Sequence, residues 1–118
     1  MESNTIKQQI IRDDTIIINP GRTLDNTNAH EMVTVIMEAQ QKGFKNVIMD
    51  FAELEFLSSA GVGSILGTVE NSRDAGGDII LCNLRETILH VLNVLDLHEY
   101  LTIKKTRQEA AVACGISE

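Results

Sequence analysis

The 118-residue chain has few cysteines and few basic residues, and each shortage excludes a class of protein. Its two cysteines, Cys82 and Cys114, have no CxxC spacing and form no dense framework of the kind that cross-links small secreted domains. Lysine and arginine number 10 against 17 aspartates and glutamates, so the net charge is -7 and binding to a nucleic-acid backbone is not expected. We expect a reduced, cytoplasmic protein whose partner is another protein.

Long hydrophobic runs are also missing. No stretch reaches the roughly eighteen apolar residues that a membrane-spanning helix needs. The N-terminal residues MESNTIKQQII contain Glu2 and scattered polar side chains, unlike the basic start and continuous apolar block of a secretory signal. There is no internal repeat, and a chain of this length supports one compact core. We therefore expect a single domain over residues 1–118, without a membrane span.

The sequence lacks the patterns of a catalytic or metal site. Ser58 follows Leu57 and Phe56, so the nucleophile motif GxSxG is absent, and no lysine follows the glycines as it would in a phosphate-binding P-loop. The three histidines are scattered along the chain and make no ligand pair with the two cysteines. We expect no catalytic residue, no metal and no cofactor, and hence a protein that is not an enzyme.

The hydrophobic pattern predicts strands that alternate with helices. A hairpin comes first, from Thr5 to Arg12 and through the TIIIN segment, and Pro20 with Gly21 ends it. Further strands are predicted over residues 46–51, 78–84 and in YLTI, and helices from the capping-box pair Asn28 and Glu31 to Gly43 and over residues 60–74, 85–95 and 106–113. This order predicts an α/β fold, with a mixed β-sheet that starts with a hairpin and packs against about four helices.

The stretch FLSSAGVGSILG, residues 56–67, joins a predicted strand to a predicted helix. Either Ser58 or Ser59 could cap that helix by accepting a backbone N–H bond. Glycine inside a helix costs about 1 kcal/mol relative to alanine, so three glycines there need a reason. Close packing on the sheet is one interpretation for Gly63 and Gly67, whereas Gly61 could leave room for another protein's active site.

The serines could also accept a phosphoryl group. The N–H groups and dipole at a helix N-terminus tolerate added negative charge, so a phosphate there need not unfold the domain. On an acidic chain the same charge can repel a partner that docks over the serine. Capping and phosphorylation therefore both stand as interpretations of the serine pair.

The segment DFAELEFLSSAGVGSILG, residues 50–67, resembles the strand, loop and helix start of the STAS domain, in the branch of bacterial anti-sigma factor antagonists. The order of hairpin, GRTLDNTNA loop, helices and strands follows that family along nearly the whole chain. In the family a serine at this helix start is phosphorylated by the anti-sigma factor, which is a serine kinase. The unmodified antagonist binds the kinase so that the sigma factor is released, and a PP2C-type phosphatase removes the phosphate.

The resemblance places the phosphate acceptor on Ser59. Many members carry aspartate at the position before the acceptor, whereas this chain has Ser58 there, so Ser58 is the alternative acceptor. Asp25, in GRTLDNT, matches a recurrent aspartate beside the acceptor, although the loop is one residue longer than usual and a turn or capping role is the alternative. The resemblance thus implies a partner-binding set, namely Asp25, Asn26, Ser58, Ser59 and Gly61. We expect a monomer or weak dimer; a scaffold subunit of a larger sensory assembly, with purely structural serines, is the second hypothesis.

Overall fold

The computed structural model describes residues 6–116, so the predicted strand start at Thr5 lies outside the described residues. The α/β fold predicted from the sequence is confirmed, with four helices in the described part of the chain. Along the chain the elements are β1 (Lys7–Arg12), β2 (Thr15–Asn19), β3 (Thr23–Leu24), α1 (Ala29–Gln41), β4 (Asn46–Asp50), β5 (Phe56–Leu57), α2 (Ser59–Asp74), β6 (Asp78–Cys82), α3 (Glu86–Val94), β7 (Thr102–Lys104) and α4 (Arg107–Ala113).

The main sheet has five strands in the order β1-β2-β4-β6-β7. Strand β1 pairs antiparallel with β2 as the predicted hairpin, and the remaining neighbours are parallel. Strands β2, β4 and β6 are nearly continuous apolar runs with almost every residue buried. Such runs are typical of parallel strands that are covered on both faces, and the mixed sheet predicted from them is confirmed.

The two faces of this sheet carry cores of unequal size. The larger core lies between the sheet and helices α1, α2 and α3, and includes Ile16, Ile18 and Ile65. Alternate residues of the same strands point the other way, where Ile17, Ile48 and Ile80 pack beneath Ala110 and Ala111 of α4. Because successive strand residues face opposite sides, each central strand contributes to both cores.

Two short strands form a second, separate sheet that the hydrophobic pattern did not predict. Strands β3 and β5 pair in parallel, with Thr23 opposite Phe56 and Leu24 opposite Leu57. The pairing continues for one more hydrogen bond, from the Ser58 N–H to the Leu24 carbonyl oxygen at 3.1 Å. This ladder ties the loop after β2 to the loop after β4.

The predicted capping box at the start of α1 is wrong. At the other end, Gly43 follows the helix as predicted, with a φ of 100°. The Asn28 side chain makes no hydrogen bond to the first turn of α1. It accepts a hydrogen bond from the Asp25 N–H at 3.0 Å and donates one to the Thr23 carbonyl at 2.8 Å. Asn28 therefore folds the loop before α1 instead of capping the helix.

Candidate functional site

The serine pair lies at the carboxyl edge of the main sheet, in the segment that follows strand β4. The loops after β2 and β4 both leave the sheet at this edge and are held together by the β3–β5 ladder. Helix α2 begins at Ser59, directly after the second of these loops. Open α/β sheets gather ligands and contacts at this edge. The predicted site residues of the two loops and of the α2 start therefore lie together there.

The two serines have different environments. Ser58 is half-buried in an extended conformation, and its Oγ accepts a hydrogen bond from the Gly61 N–H at 3.3 Å, which makes it the N-cap of α2. Ser59 is exposed as the first residue of the helix, and its hydroxyl has no hydrogen-bond partner among residues 6–116. The capping interpretation therefore applies to Ser58. The Ser59 hydroxyl makes no hydrogen bond within residues 6–116 that would give it a structural role.

Gly61 is buried, and its α-carbon lies against strand β3. A Cβ at this position would lie 2.2 Å from the Leu24 carbonyl oxygen and 2.9 Å from Leu57 Cδ1. Only glycine permits this approach without a shift of backbone. The predicted reason for Gly61, room for a partner, is therefore wrong, because the chain itself fills that space.

Gly63 and Gly67 lie on the exposed face of α2. A Cβ at either position would meet nothing within 4 Å. The interpretation that these two glycines allow close packing on the sheet is therefore wrong. The buried side of α2 is formed by other residues, among them Val62, Ile65 and Val69.

Asp25 lies one position beyond the Leu24–Leu57 pair of the ladder, which brings its loop beside the serines. Its carboxylate accepts hydrogen bonds from the Thr27 hydroxyl at 2.6 Å and the Thr27 N–H at 2.9 Å, and these bonds lower the pKa of the Asp25 carboxyl. The Asp25 carbonyl also accepts from the first turn of α1, at Ala29 N. Asp25 thus has the turn role that was its alternative, and its neighbour Asn26 is exposed at the same edge.

An ion-pair cluster that sequence reasoning missed lies next to the serine loop. Arg22 Nη2 donates to Glu55 Oε1 at 2.8 Å, and Arg85 Nη2 lies 4.0 Å from Glu55 Oε2. The hydrogen bond from Arg22 lowers the pKa of the Glu55 carboxyl. The adjacent Phe56 is 63% exposed. Because these residues come from three separate loops, no local pattern in the sequence could have linked them.

A buried carboxylate anchors the start of the serine loop. Asp50, 4% exposed at the end of β4, accepts hydrogen bonds from Asn83 Nδ2 at 2.9 Å, Ala52 N at 3.0 Å and Arg107 Nη2 at 2.8 Å. Burial alone would raise the pKa of the Asp50 carboxyl, but these donors outweigh it and the pKa is lowered. The cluster joins β4, the turn after β6 and the first residue of α4.

Two further findings concern metal ligands and membrane spans among the described residues. Within residues 6–116, no three histidine, cysteine, aspartate or glutamate side chains are grouped so that they could hold a metal ion. None of the helices in that range combines the length and the apolar character needed to cross a membrane. The carboxyl edge itself carries an exposed serine, a capped helix start and a surface of mixed charge.

Fold and site together define a small α/β domain with a mixed sheet, whose carboxyl edge presents an exposed serine at the start of a helix. The chain belongs to the STAS domain family, since the model of that family matches residues 7–110. The resemblance inferred from residues 50–67 is confirmed by this match, which covers most of the chain.

Relatives and solved structures agree with this assignment. The sequence is 24% identical over 90 residues to BtrV of Bordetella bronchiseptica, covering 76% of this chain and 78% of BtrV, and 28% identical over 101 residues to a Thermotoga maritima protein, covering 85% and 89%. Both relatives carry the provisional name anti-sigma factor antagonist.

The fold is that of the anti-sigma factor antagonist SpoIIAA. Its unphosphorylated form superposes with a TM-score of 0.82 at 22% identity, covering 97% of this chain and all of SpoIIAA (100%). Its phosphorylated form, from Bacillus, gives a TM-score of 0.73 at 24% identity, covering 92% and 98%. At these identities the likeness establishes the fold.

Proposed function

We propose that this chain acts in the cytoplasm as a single STAS domain and an anti-sigma factor antagonist, controlled by phosphorylation of Ser59. In its unmodified form it binds an anti-sigma factor that is a serine kinase, and the sigma factor is released. The observation that carries the proposal is the exposed Ser59 hydroxyl at the start of α2, next to a serine that already caps the helix.

The phosphorylation step needs only a presented hydroxyl from this chain. The Ser59 oxygen forms a bond to the γ-phosphorus of ATP held by the kinase, the bond from that phosphorus to the β–γ bridging oxygen breaks, and ADP leaves. The hydroxyl proton passes to a base on the kinase. A PP2C-type phosphatase resets the switch by transferring the phosphoryl group to water. The chain supplies no catalytic residue to either reaction.

The position of Ser59 explains how a phosphate could change binding without changing the fold. The group carries about -1.5 to -2 charges near neutral pH, and the N–H groups of the first helical turn tolerate such charge. Since the loop of Asp25 lies beside the serines, the phosphate adds to the negative charge of the Asp25 carboxylate. A partner that docks over Ser59 then meets a bulky, strongly hydrated anion.

The assignment to Ser59 instead of Ser58 rests on their hydrogen bonds. Phosphorylation of Ser58 would replace the Oγ–Gly61 cap bond in a half-buried position. Phosphorylation of Ser59 disturbs no hydrogen bond within residues 6–116. SpoIIAA, which shares the fold, exists in unphosphorylated and phosphorylated forms, and this precedent supports a phosphorylation switch on the same scaffold.

The test begins with the anti-sigma factor kinase encoded in the same genome. The purified kinase is incubated with ATP and the chain, either unmodified or as Ser58→Ala or Ser59→Ala, and the modified site is located by mass spectrometry. We expect a phosphate on the wild type and on Ser58→Ala, and none on Ser59→Ala. A matching PP2C-type phosphatase should remove it.

Binding is then measured with Ser59→Asp, which mimics part of the added charge. We expect its affinity for the kinase to fall by about tenfold or more, while Ser59→Ala keeps the wild-type affinity. An absence of phosphate on both serines, together with undiminished binding by Ser59→Asp, would overturn the proposal. A large assembly whose size does not change with concentration would instead favour a scaffold subunit.

A further inference from the structure

Two of the arginines in residues 6–116 differ from the other three. The side chains of Arg22 and Arg85 are 72% and 51% exposed. The others are fixed by the body of the domain through hydrogen bonds to a carbonyl or to a carboxylate of the sheet, as seen for Arg12 with the Cys114 carbonyl, Arg73 with Asp78, and Arg107 with Asp50. Arg107 is nearly as exposed, at 47%, but two of its nitrogens hold Asp50 of β4. Within the described range, Arg22 and Arg85 have no such bond to the main sheet and are thus the arginines most available to another molecule.

The two available arginines converge on one carboxylate. Glu55 receives a hydrogen bond from Arg22 at 2.8 Å and has Arg85 at 4.0 Å, so the cluster holds two positive charges and one negative charge. Three loops meet here: Arg22 precedes β3, Glu55 precedes β5, and Arg85 is the residue before α3. The N–H groups of Glu55 and Phe56 both donate to the Arg22 carbonyl, which fixes the backbone beneath the cluster.

An exposed aromatic ring completes the patch. Phe56, directly after Glu55, is 63% exposed although its backbone is paired with β3. Isolated exposed apolar residues are common and need no explanation. An exposed phenylalanine on a fixed backbone, next in the chain to the carboxylate that holds two arginines, is different. Aromatic and arginine side chains are enriched in the energetic centres of protein interfaces.

We propose that Arg22, Glu55, Phe56 and Arg85 form a recognition patch that selects the protein partner. The patch fits a partner surface that carries carboxylates beside an apolar pocket, with the pocket receiving Phe56 and the carboxylates pairing with the arginines. This inference rests on the proposed function, since it assigns the patch to the partner that docks over Ser59, four residues after Glu55.

Glu55 has a specific part in this recognition. Its hydrogen bond holds Arg22 in one geometry before binding, which reduces the conformational entropy lost when the interface forms. The guanidinium has five N–H donors, of which Glu55 Oε1 uses one, and the rest can meet a partner carboxylate bidentately. The carboxylate of Glu55 therefore orients the arginine without consuming its binding capacity.

Charge complementarity selects an acidic partner surface. A chain with a net charge of -7 repels acidic surfaces over most approaches. The two guanidinium groups at Glu55 are a local exception, so an acidic partner would be oriented with its carboxylates toward the patch and its active site toward Ser59. Such complementarity contributes chiefly to specificity and to the association rate.

The experiment measures binding of the purified anti-sigma factor kinase, loaded with a nonhydrolysable ATP analogue, at low and high NaCl concentration. The variants are Arg22→Gln, Arg85→Gln, their combination and Phe56→Ser. Lys42→Gln is the matched control, since Lys42 is an exposed cation at the end of α1, away from the carboxyl edge. Each arginine variant should raise Kd by about fivefold, Phe56→Ser by about tenfold, and Lys42→Gln by less than about twofold.

Two further readouts separate recognition from a general structural defect. The double arginine variant should lose much of the salt dependence of binding. In phosphorylation assays it should raise KM for the chain while kcat stays at the wild-type value, because the Ser59 hydroxyl is unchanged. The inference is overturned if the double variant binds at low salt as tightly as the wild type. In the separate phosphorylation assays with ATP, modification of Ser59 in the wild type would leave the proposed function intact even if the patch fails, whereas its absence in the wild type would count against the proposed function.

Discussion

The α-carbon of Gly61 rests on the carbonyl group of Leu24, so closely that a Cβ would lie 2.2 Å from the Leu24 oxygen and 2.9 Å from its carbon. This contact seats the first turn of α2 on strand β3. The position of the serines relative to the loop of Asp25 therefore depends on the absence of one methyl group.

Replacing Gly61 by alanine should destabilise the domain. The new methyl meets backbone, which cannot move away as a flexible side chain would, so we expect a loss of about 2 kcal/mol in the free energy of unfolding. Gly63→Ala is the matched control: its methyl enters open space on the same helix and should add about 0.5–1 kcal/mol. Urea unfolding followed by circular dichroism measures both. Equal stabilities for the two variants would contradict the packing explanation.

The two serines should separate stability from modification. Ser58→Ala removes the N-cap bond to Gly61 N and should cost about 1 kcal/mol, whereas Ser59→Ala should change stability by less than about 0.5 kcal/mol. Phosphorylation should show the reverse pattern: Ser58→Ala is still phosphorylated, whereas Ser59→Ala is not. Thermal unfolding and a kinase assay on the same preparations provide both numbers. A larger stability loss in Ser59→Ala than in Ser58→Ala would reverse the assignment of the cap.

Asp50 should make stability depend on acidic pH. Its pKa is lowered in the folded protein, so its contribution is fully present above the unfolded pKa of about 4 and is lost as the pH falls through the folded value. Asp50→Asn removes a carboxylate with three hydrogen-bonded partners and should cost about 2 kcal/mol at pH 7.

The difference in unfolding free energy between the wild type and Asp50→Asn should be smaller at pH 3 than at pH 7. The wild type loses the contribution of its Asp50 charge as that carboxylate is protonated, whereas asparagine does not titrate. Urea unfolding at pH 7 and pH 3 gives this difference directly. Asp13→Asn, at an exposed position in the β1–β2 turn, serves as the control and should change stability by less than about 0.5 kcal/mol. A deficit that stays constant between the two pH values would show that the Asp50 charge does not contribute.

The Cys82 thiol should be unreactive in the folded protein. Burial, and secondarily the charge of Asp50, raises its pKa to about 12, so only ~1 in 10,000 molecules carries the thiolate at pH 8. Cys114 is half-buried, and burial raises its pKa as well. Alkylation with iodoacetamide, followed by mass spectrometry, should label Cys114 before Cys82. The Cys114→Ser variant should remain unlabelled until urea is added. Rapid labelling of Cys82 in this variant without urea would contradict the burial of the Cys82 thiol.

The elements of the main sheet could be predicted because each has a local signature. Apolar runs such as NVIMD indicate a strand buried on both faces, and the spacing of Met32 and Ile36 indicates one face of a helix. The motif around Ser59 was also visible, since serines, glycines and a helix start lie together in the chain. Where a short window of sequence contains the interaction, pattern reading succeeds.

The remaining features depend on contacts between distant residues. Strands of two residues, such as β3 and β5, have no period to detect, and their pairing follows from the approach of two loops. The Gly61–Leu24 contact and the Arg22–Glu55–Arg85 cluster likewise join segments more than 25 residues apart. At Asn28 the local pattern predicted a helix cap that does not form. The Asn28 side chain hydrogen-bonds to the preceding loop instead of to the first turn of the helix.

The β3–β5 ladder consists of backbone hydrogen bonds, including those that reach the Arg22 and Leu24 carbonyls. Side chains at Arg22, Glu55 and Phe56 can therefore be exchanged without dismantling the frame that positions Ser59. Substitutions at these few positions would change the surface beside Ser59 and leave the backbone frame as it is. The ladder thereby separates the shape of this edge from its surface chemistry, so the two can vary independently.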